Sequence, residues 1–261
     1  MIELEQRDIP SLIKVLEEDR RNIFFLNALE KGNLGSYLKV YKLDEAYILH
    51  GMCAFVCIYA HGEYDKARLI KFLSTLPFSY LYGLEEQLQD LEDYLSKDFN
   101  VEKRTMMSVD KSSFIRLAER DTRLRELFAP EDYEDLYDMY THNSEFEHDY
   151  PIENKEEWAL EKAEIEYPHT GVGLYYKNRI ISGAYLLDAN KTRAAIVGVA
   201  TDDDYVGCGF ATSVVSELVD IALYENNINY LCLWYDNEKA HHIYSKLGFK
   251  PVGNYIYAKR K

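Results

Sequence analysis

Cysteine and basic side chains are the scarce features of this 261-residue sequence. Its four cysteines, Cys53, Cys57, Cys208 and Cys232, show no paired C-x-x-C spacing. That excludes a zinc signature and reads as free thiols in a reducing cytosol. Thirty Lys and Arg stand against 45 Asp and Glu, a formal charge of −15. A nucleic-acid binder needs a basic face to displace counterions from phosphates, and docking on an anionic lipid surface needs the same, so neither partner is expected. No apolar run is long enough to span a bilayer; the longest, Ala46 to Ala60, is broken by His50 and Gly51. The opening Met1-Ile2-Glu3-Leu4-Glu5 has neither the basic start nor the apolar run of a secretory signal, so a cytoplasmic location is expected. No spacing of His, Cys or carboxylates supports a metal site, His241 and His242 included.

What is present suffices for a packed core. Hydrophobic residues make up 47% of the chain, and its length suits one large or two small domains. In the first half a short strand precedes two helices, the first begun at Asp8 and the second stopping at Gly32. Strands are predicted at Tyr37 to Leu43, Ala46 to Leu49 and Met52 to Tyr59, then a helix, a strand, a helix and a strand ending near Val109. The second half repeats that order: a strand from Arg123 to Leu127, a helix opened by Pro130, and a helix through Ala163. Strands follow at Val172 to Tyr176, Ile180 to Leu187 and Ala195 to Thr201. The series closes with a helix from Phe210 to Glu225, a strand from Tyr230 to Tyr235, a helix from Glu238 to Leu247 and a last strand from Val252. Two matching series of ten elements imply a tandem duplication with its junction near residues 111–121. The expected domains are residues 1–115 and residues 122–261. The fold class is α/β in the α+β sense: two similar halves, each a mixed, mostly antiparallel twisted sheet flanked by helices.

Two segments carry chemistry. After the strand ending at Thr201, the loop Asp202-Asp203-Asp204-Tyr205-Val206-Gly207-Cys208-Gly209 turns directly into a helix at Phe210-Ala211-Thr212. Small residues there let backbone amides approach an anion, and the helix start adds free N–H groups and a positive dipole end. The loop is not a Walker loop, because no Gly-Lys-Ser/Thr follows, nor a dinucleotide G-x-G-x-x-G. The second segment, from Asn237 through Ala240 and Tyr244 to Gly248-Phe249, follows a strand. Its three-and-four spacing puts Asn237, Ala240 and Tyr244 on one helix face.

Together the segments resemble the hallmarks of the GNAT acyltransferase superfamily: a Q/R-x-x-G-x-G/A loop after the fourth strand and an N-x-x-A-x-x-x-Y-x-x-x-G-F stretch after the fifth. The resemblance covers roughly residues 122 to 259. The second motif is matched in full. The first is matched at Gly209 and Ala211, with Val206 where the family usually has Gln or Arg, which removes one polar contact to a pyrophosphate and leaves the backbone cradle.

The resemblance implies an acetyl-CoA-dependent N-acetyltransferase. Backbone from Val199 through Ala200 to Thr201 would pair with the pantetheine arm, and the Val199 amide would stabilise the oxyanion. Amides of Gly207, Cys208, Gly209, Phe210, Ala211 and Thr212 would hold the pyrophosphate. Asn237 would bond the pantetheine, and Tyr244 would protonate the departing thiolate. The base stays open: the fourth-strand position that holds a carboxylate in some members is Ala195 here. That leaves Asp202, Glu147, Asp149 or a water relay, with Asp202 to Asp204 read as a solvated turn. The acidic and aromatic link from His142 to Tyr150, with Glu145, Glu147 and Asp149, suits a cationic primary amine of a small molecule or peptide, or is an ordinary acidic surface loop. Two other functions fit the same features: transfer of a longer acyl group, as in glycine-type acyltransferases, and a non-catalytic CoA-sensing or partner-binding module. The first half shows neither motif; its loop Tyr59 to Asp65 has one glycine and two carboxylates, so it reads as a degenerate copy.

Overall fold

The computed structural model describes residues 1–31, 37–51, 55–147, 150, 152–164, 171–187, 189–190 and 192–261. The readings placed on Gly32, on Met52 to Ala54 and on Asp149 lie outside them. The first half runs β1 (Ile2–Glu3), α1 (Ile9–Leu16), α2 (Ile23–Lys31), β2 (Leu38–Leu43), β3 (Ala46–Gly51), β4 (Phe55–Ala60), α3 (Lys66–Leu73), β5 (Tyr80–Leu84), the short helices α4 (Glu85–Leu88) and α5 (Glu92–Asp98), and β6 (Phe99–Asp110). The second runs β7 (Leu124–Leu127), α6 (Pro130–Thr141), α7 (Lys155–Ala163), β8 (Gly171–Tyr176), β9 (Arg179–Leu187), β10 (Arg193–Thr201), α8 (Phe210–Asp220), β11 (Tyr230–Tyr235), α9 (Glu238–Lys246) and β12 (Lys250–Arg260). The order of elements is the same in both halves, except that α4 and α5 of the first stand where the second has the single helix α9.

Local chemistry accounts for the boundaries that place the site. Pro130 opens α6, and the Asp132 carboxylate accepts the amides of Phe128 and Ala129, both at 3.0 Å. Lys177 and Asn178 take φ of 50° and 63°, the left-handed pair a tight hairpin between β8 and β9 requires. The helix predicted to reach Glu225 does so, but its last turn, Ile221–Glu225, widens to π-type bonding.

The chain forms two compact units. One comprises Met1–Met106, Trp234–Asp236 and Pro251–Lys261; the other comprises Met107–Leu233 and Asn237–Lys250. In the first, strands lie in the order β1-β2-β3-β4-β5-β12, antiparallel except for the parallel pair β4 and β5. In the second the order is β11-β10-β9-β8-β7, antiparallel except for the parallel pair β10 and β11. Each is the mixed, mostly antiparallel sheet flanked by helices that the sequence implies.

The units differ from the contiguous spans 1–115 and 122–261: the second begins at Met107, while Trp234–Asp236 and the C-terminal strand from Pro251 belong to the first. Tyr255 to Lys259 pair antiparallel with Leu84 to Tyr80, and Ile256 and Ala258 join Leu81, Phe78 and Phe99 in that unit's core. The aromatic and β-branched residues around Tyr255-Ile256-Tyr257 mark β12 as a strand; they carry no information on which sheet the strand enters.

Ile256→Ala removes a buried side chain from this core and is expected to destabilise by about 2–5 kcal/mol. Hydrogen exchange should quicken at Tyr80–Leu84 and not at Gly171–Tyr176. Equal acceleration in both strands would contradict the assignment of β12 to the first unit.

Candidate active site

The site grows out of the end of a parallel strand pair in the second unit. β10 pairs with β11 at Arg193↔Tyr230, Ala194↔Leu231 and Ala195↔Cys232, where the ladder stops. On its other side β10 pairs with β9 at Val197↔Tyr185 and next at Ala200↔Gly183. Gly198 and Val199 therefore oppose the single residue Ala184 in a β-bulge, with no partner in either ladder. Gly198 takes φ 63°, and a Cβ there would collide with the Tyr140 hydroxyl, so only glycine fits.

Side chains from neighbouring segments hold three carbonyls at the end of β10. Tyr140 on α6 donates to the Gly198 carbonyl at 2.8 Å. The Ser182 hydroxyl donates to Ala200 O at 2.9 Å, and the Asn143 amide to Thr201 O at 2.8 Å. Val199 itself is half-buried, and Ala200 and Thr201 are buried.

Past Thr201 the expected solvated turn is only partly so. Asp203 and Asp204 are exposed, but Asp202 is 2% exposed. One of its oxygens accepts from Arg179 Nη1 at 2.7 Å and the other from the Asp204 amide at 3.0 Å. A buried carboxylate with both oxygens engaged anchors the loop; it is not set up to take a substrate proton. Sequence reasoning missed this pairing because Arg179 sits 23 positions away at the hairpin end.

The glycine loop is open. Gly207 and Gly209 have φ 84° and 82°, and a Cβ at either would meet nothing within 4 Å. α8 begins at Phe210 with no acidic residue in its first turn, so the amides of Phe210, Ala211 and Thr212 are helix-start donors. Cys208 and Val206 are exposed beside them. The Arg123 guanidinium lies 4.9 Å from the Phe210 ring centre and is held by a bidentate bond to Asp121.

The second motif is placed somewhat differently from its one-face reading. Asn237 stands just outside α9 as its N-cap, extended at φ −132°, and its Oδ1 accepts the Ala240 amide at 2.9 Å. Tyr244 lies within α9, 6% exposed, its ring 5.7 Å from that of Phe249. α8 and α9 pack against each other, which brings the two motifs together.

In the link after α6 the side chains sort by chemistry. Glu145 and Glu147 are exposed, whereas Phe146 turns inward to stack on Tyr140 with ring centres 5.3 Å apart. The link is tied to the loop: the Asp203 amide donates to His142 O at 3.1 Å, and the Ser144 amide to Asp203 Oδ2 at 3.1 Å.

The first unit has the matching topology without the site. Its parallel ladder stops at Ile58↔Gly83, but the Gln87 side chain accepts the Ala60 amide at 3.2 Å. Tyr64 donates to the Gln87 carbonyl at 3.0 Å. An open cleft of about 760 Å³ remains, lined among others by Asp19, Glu63, Glu86 and Asp90, and by Arg21, whose guanidinium is committed to Asp19 and Glu86. Among the described residues, no group of three or more His, Cys, Asp or Glu is arranged to hold a metal, and no helix is long and apolar enough to cross a membrane.

Comparison with known proteins agrees with this geometry. Residues 130–249 match the model of the acetyltransferase (GNAT) family. The fold is similar to that of a GCN5-related N-acetyltransferase from Kribbella flavida, with TM-score 0.68 and 11% identity over 95% of each chain. A GCN5-related N-acetyltransferase from Sphaerobacter thermophilus gives TM-score 0.63 and 14% identity, covering 91% of this chain and 84% of that one. A tandem GNAT protein from the clavulanic acid biosynthesis pathway gives 0.58 and 9%, covering 98% and 96%. No curated protein sequence matches. The second half thus matches the GNAT acetyltransferase family, and the fold of the chain is like that of these GNAT proteins.

Gly209→Glu is expected to abolish acyl-CoA binding by placing a side chain and a like charge in the cradle. The left-handed φ makes even alanine cost about 1–2 kcal/mol, while the open space lets the variant fold. Calorimetric titration with acetyl-CoA measures it; unaltered affinity in the folded variant would remove the loop from the site. The same titration of the unmodified protein should fit one molecule per chain, and a value near two would contradict the blocked first unit.

Proposed function

We propose that the protein transfers an acetyl group from acetyl-CoA to a primary amine by direct attack of the amine on the thioester. The observation that carries this reading is the bulged end of β10, unpaired from β11 and leading into an open glycine loop and the start of α8. The chain's residues fit the co-substrate: nothing occupies the space where a Cβ at Gly207 or Gly209 would lie, and helix-start amides face no carboxylate of their own turn. The amides of residues 207–212 would hold the pyrophosphate. The Val199 N–H would donate to the oxyanion as the amine adds, and Tyr244 would protonate the leaving thiolate. Exposed Glu145 and Glu147 would draw a cationic acceptor toward the site.

With Asp202 committed to Arg179 and alanine at position 195, deprotonation of the acceptor falls to a looser carboxylate or to water. An alkyl amine has a pKa near 10, as for Lys at about 10.4, and only its neutral form attacks. The rate should therefore rise toward alkaline pH.

A panel of amines with acetyl-CoA, read by thiol release, tests activity and acceptor class together. Faster turnover of an anionic or hydroxyl acceptor than of any amine would defeat the reading. Tyr244→Phe should lower kcat by about 10²–10⁴ with little change in acetyl-CoA affinity. Near-normal turnover, with chemistry rate-limiting, would take Tyr244 out of the mechanism.

A further inference from the structure

We propose that Tyr140 is a positioning residue that sets and polarises the Val199 amide. The inference rests on the reading of that amide as the oxyanion donor. Gly198 C=O and Val199 N–H belong to one planar trans peptide and point to opposite sides of it. Fixing the carbonyl therefore fixes the direction of the N–H. Because Gly198 and Val199 have no partner in either ladder, strand pairing does not set the rotation of this peptide. The Tyr140 hydroxyl, donating to Gly198 O at 2.8 Å, does.

The anchor is rigid. Tyr140 is fully buried; its ring stacks on Tyr150 at 4.4 Å and on Phe146 at 5.3 Å, and meets the edge of Trp158 at 6.2 Å. Burial holds its hydroxyl well above the usual tyrosine range, so it remains a donor at any working pH. Glycine at 198 is what allows the hydroxyl to come so close. A hydrogen bond to the carbonyl also strengthens the N–H of the same amide as a donor, by about 10–30% per bond in a chain of bonds. The direction of the N–H matters more, since a displacement of about 1 Å at a reacting centre can lower a rate on the order of 10²-fold.

The test replaces the hydroxyl and keeps the ring. Tyr140→Phe should lower kcat by about 10–100-fold, a part of the 10²–10³ attached to losing an oxyanion donor outright. The KM for acetyl-CoA should change less than about threefold, since the cradle in residues 207–212 is untouched. A second readout needs no turnover: the infrared carbonyl stretch of bound [1-¹³C]acetyl-CoA. It should shift to lower frequency on the unmodified protein and lose most of that shift on Tyr140→Phe. Tyr185→Phe is the control, because that hydroxyl bonds Tyr150 in the same cluster; it should keep the shift. If Tyr140→Phe fails to fold, 3-fluorotyrosine at 140 takes its place; this more acidic donor should enlarge the shift. An unchanged shift and kcat in Tyr140→Phe, or an unchanged shift with fluorotyrosine, overturns the role of Tyr140 and leaves the acyl-CoA reading standing. A shift absent from the unmodified protein with acetyl-CoA bound, or no binding at all, overturns both.

Discussion

A backbone amide away from water must find a partner, and β10 meets that requirement in two ways along its length. It pairs with β11 from Arg193 to Ala195, and with β9 from Ala195 to Val197. From Gly198 on, the parallel neighbour is gone and the antiparallel one is out of step by a residue. The strand's polar groups are then met by side chains: Tyr140, Ser182 and Asn143 each take a carbonyl. All three act on acceptors, so what they leave on offer is the donor side of the strand. Glycine at 198 makes the bulge possible, and the bulge separates the Val199 amide from the ladder.

The first unit shows the alternative outcome of the same topology. There too a parallel ladder between the fourth and fifth strands of the half stops short, at Ile58↔Gly83. The chain supplies Gln87 to accept the next amide, and Tyr64 fastens the Gln87 backbone in turn. Once an internal side chain satisfies the strand end, a ligand gains nothing by pairing there. The adjoining loop is acidic where an anion would need open amides. One fold thus yields a site or a filled position according to which side chain lies beside the strand end.

Much of the fold was legible because it is written locally. Pro130, the Lys177-Asn178 turn and the apolar runs of β9 and β10 each fix an element within a few residues, and the predicted strand Tyr230 to Tyr235 is the observed one. The two motif segments were legible because glycine spacing and the Asn–Ala–Tyr interval are local patterns too. Three things were not. The entry of β12 into the first unit depends on a strand partner 171 positions away at Tyr255↔Leu84. The burial of Asp202 depends on an arginine across the hairpin, so three consecutive aspartates looked alike in sequence and are not alike in space. Tyr140 is one of 23 tyrosines, and only the bulge it meets, 58 residues on, distinguishes it.

The charge of the chain poses the last question, since a protein at −15 would hold a pyrophosphate against its own field. Net charge acts over a Debye length of about 8 Å at physiological salt, so only nearby groups count in full. Near the loop, Asp202 is neutralised by Arg179, and Asp121 by Arg123 beside Phe210. Asp203 accepts the Ser144 amide and so spends part of its charge on the neighbouring link. What remains close to the cradle is dominated by short-range dipoles, the helix-start amides of α8, whose effect falls off within a turn and hardly feels the distant carboxylates. Exposed acid remains at Asp203 and Asp204 and on the link at Glu145 and Glu147, where it favours a cation. On the proposed reading, an acidic chain would serve an anionic donor and a cationic acceptor at once, with amides for the first and carboxylates for the second.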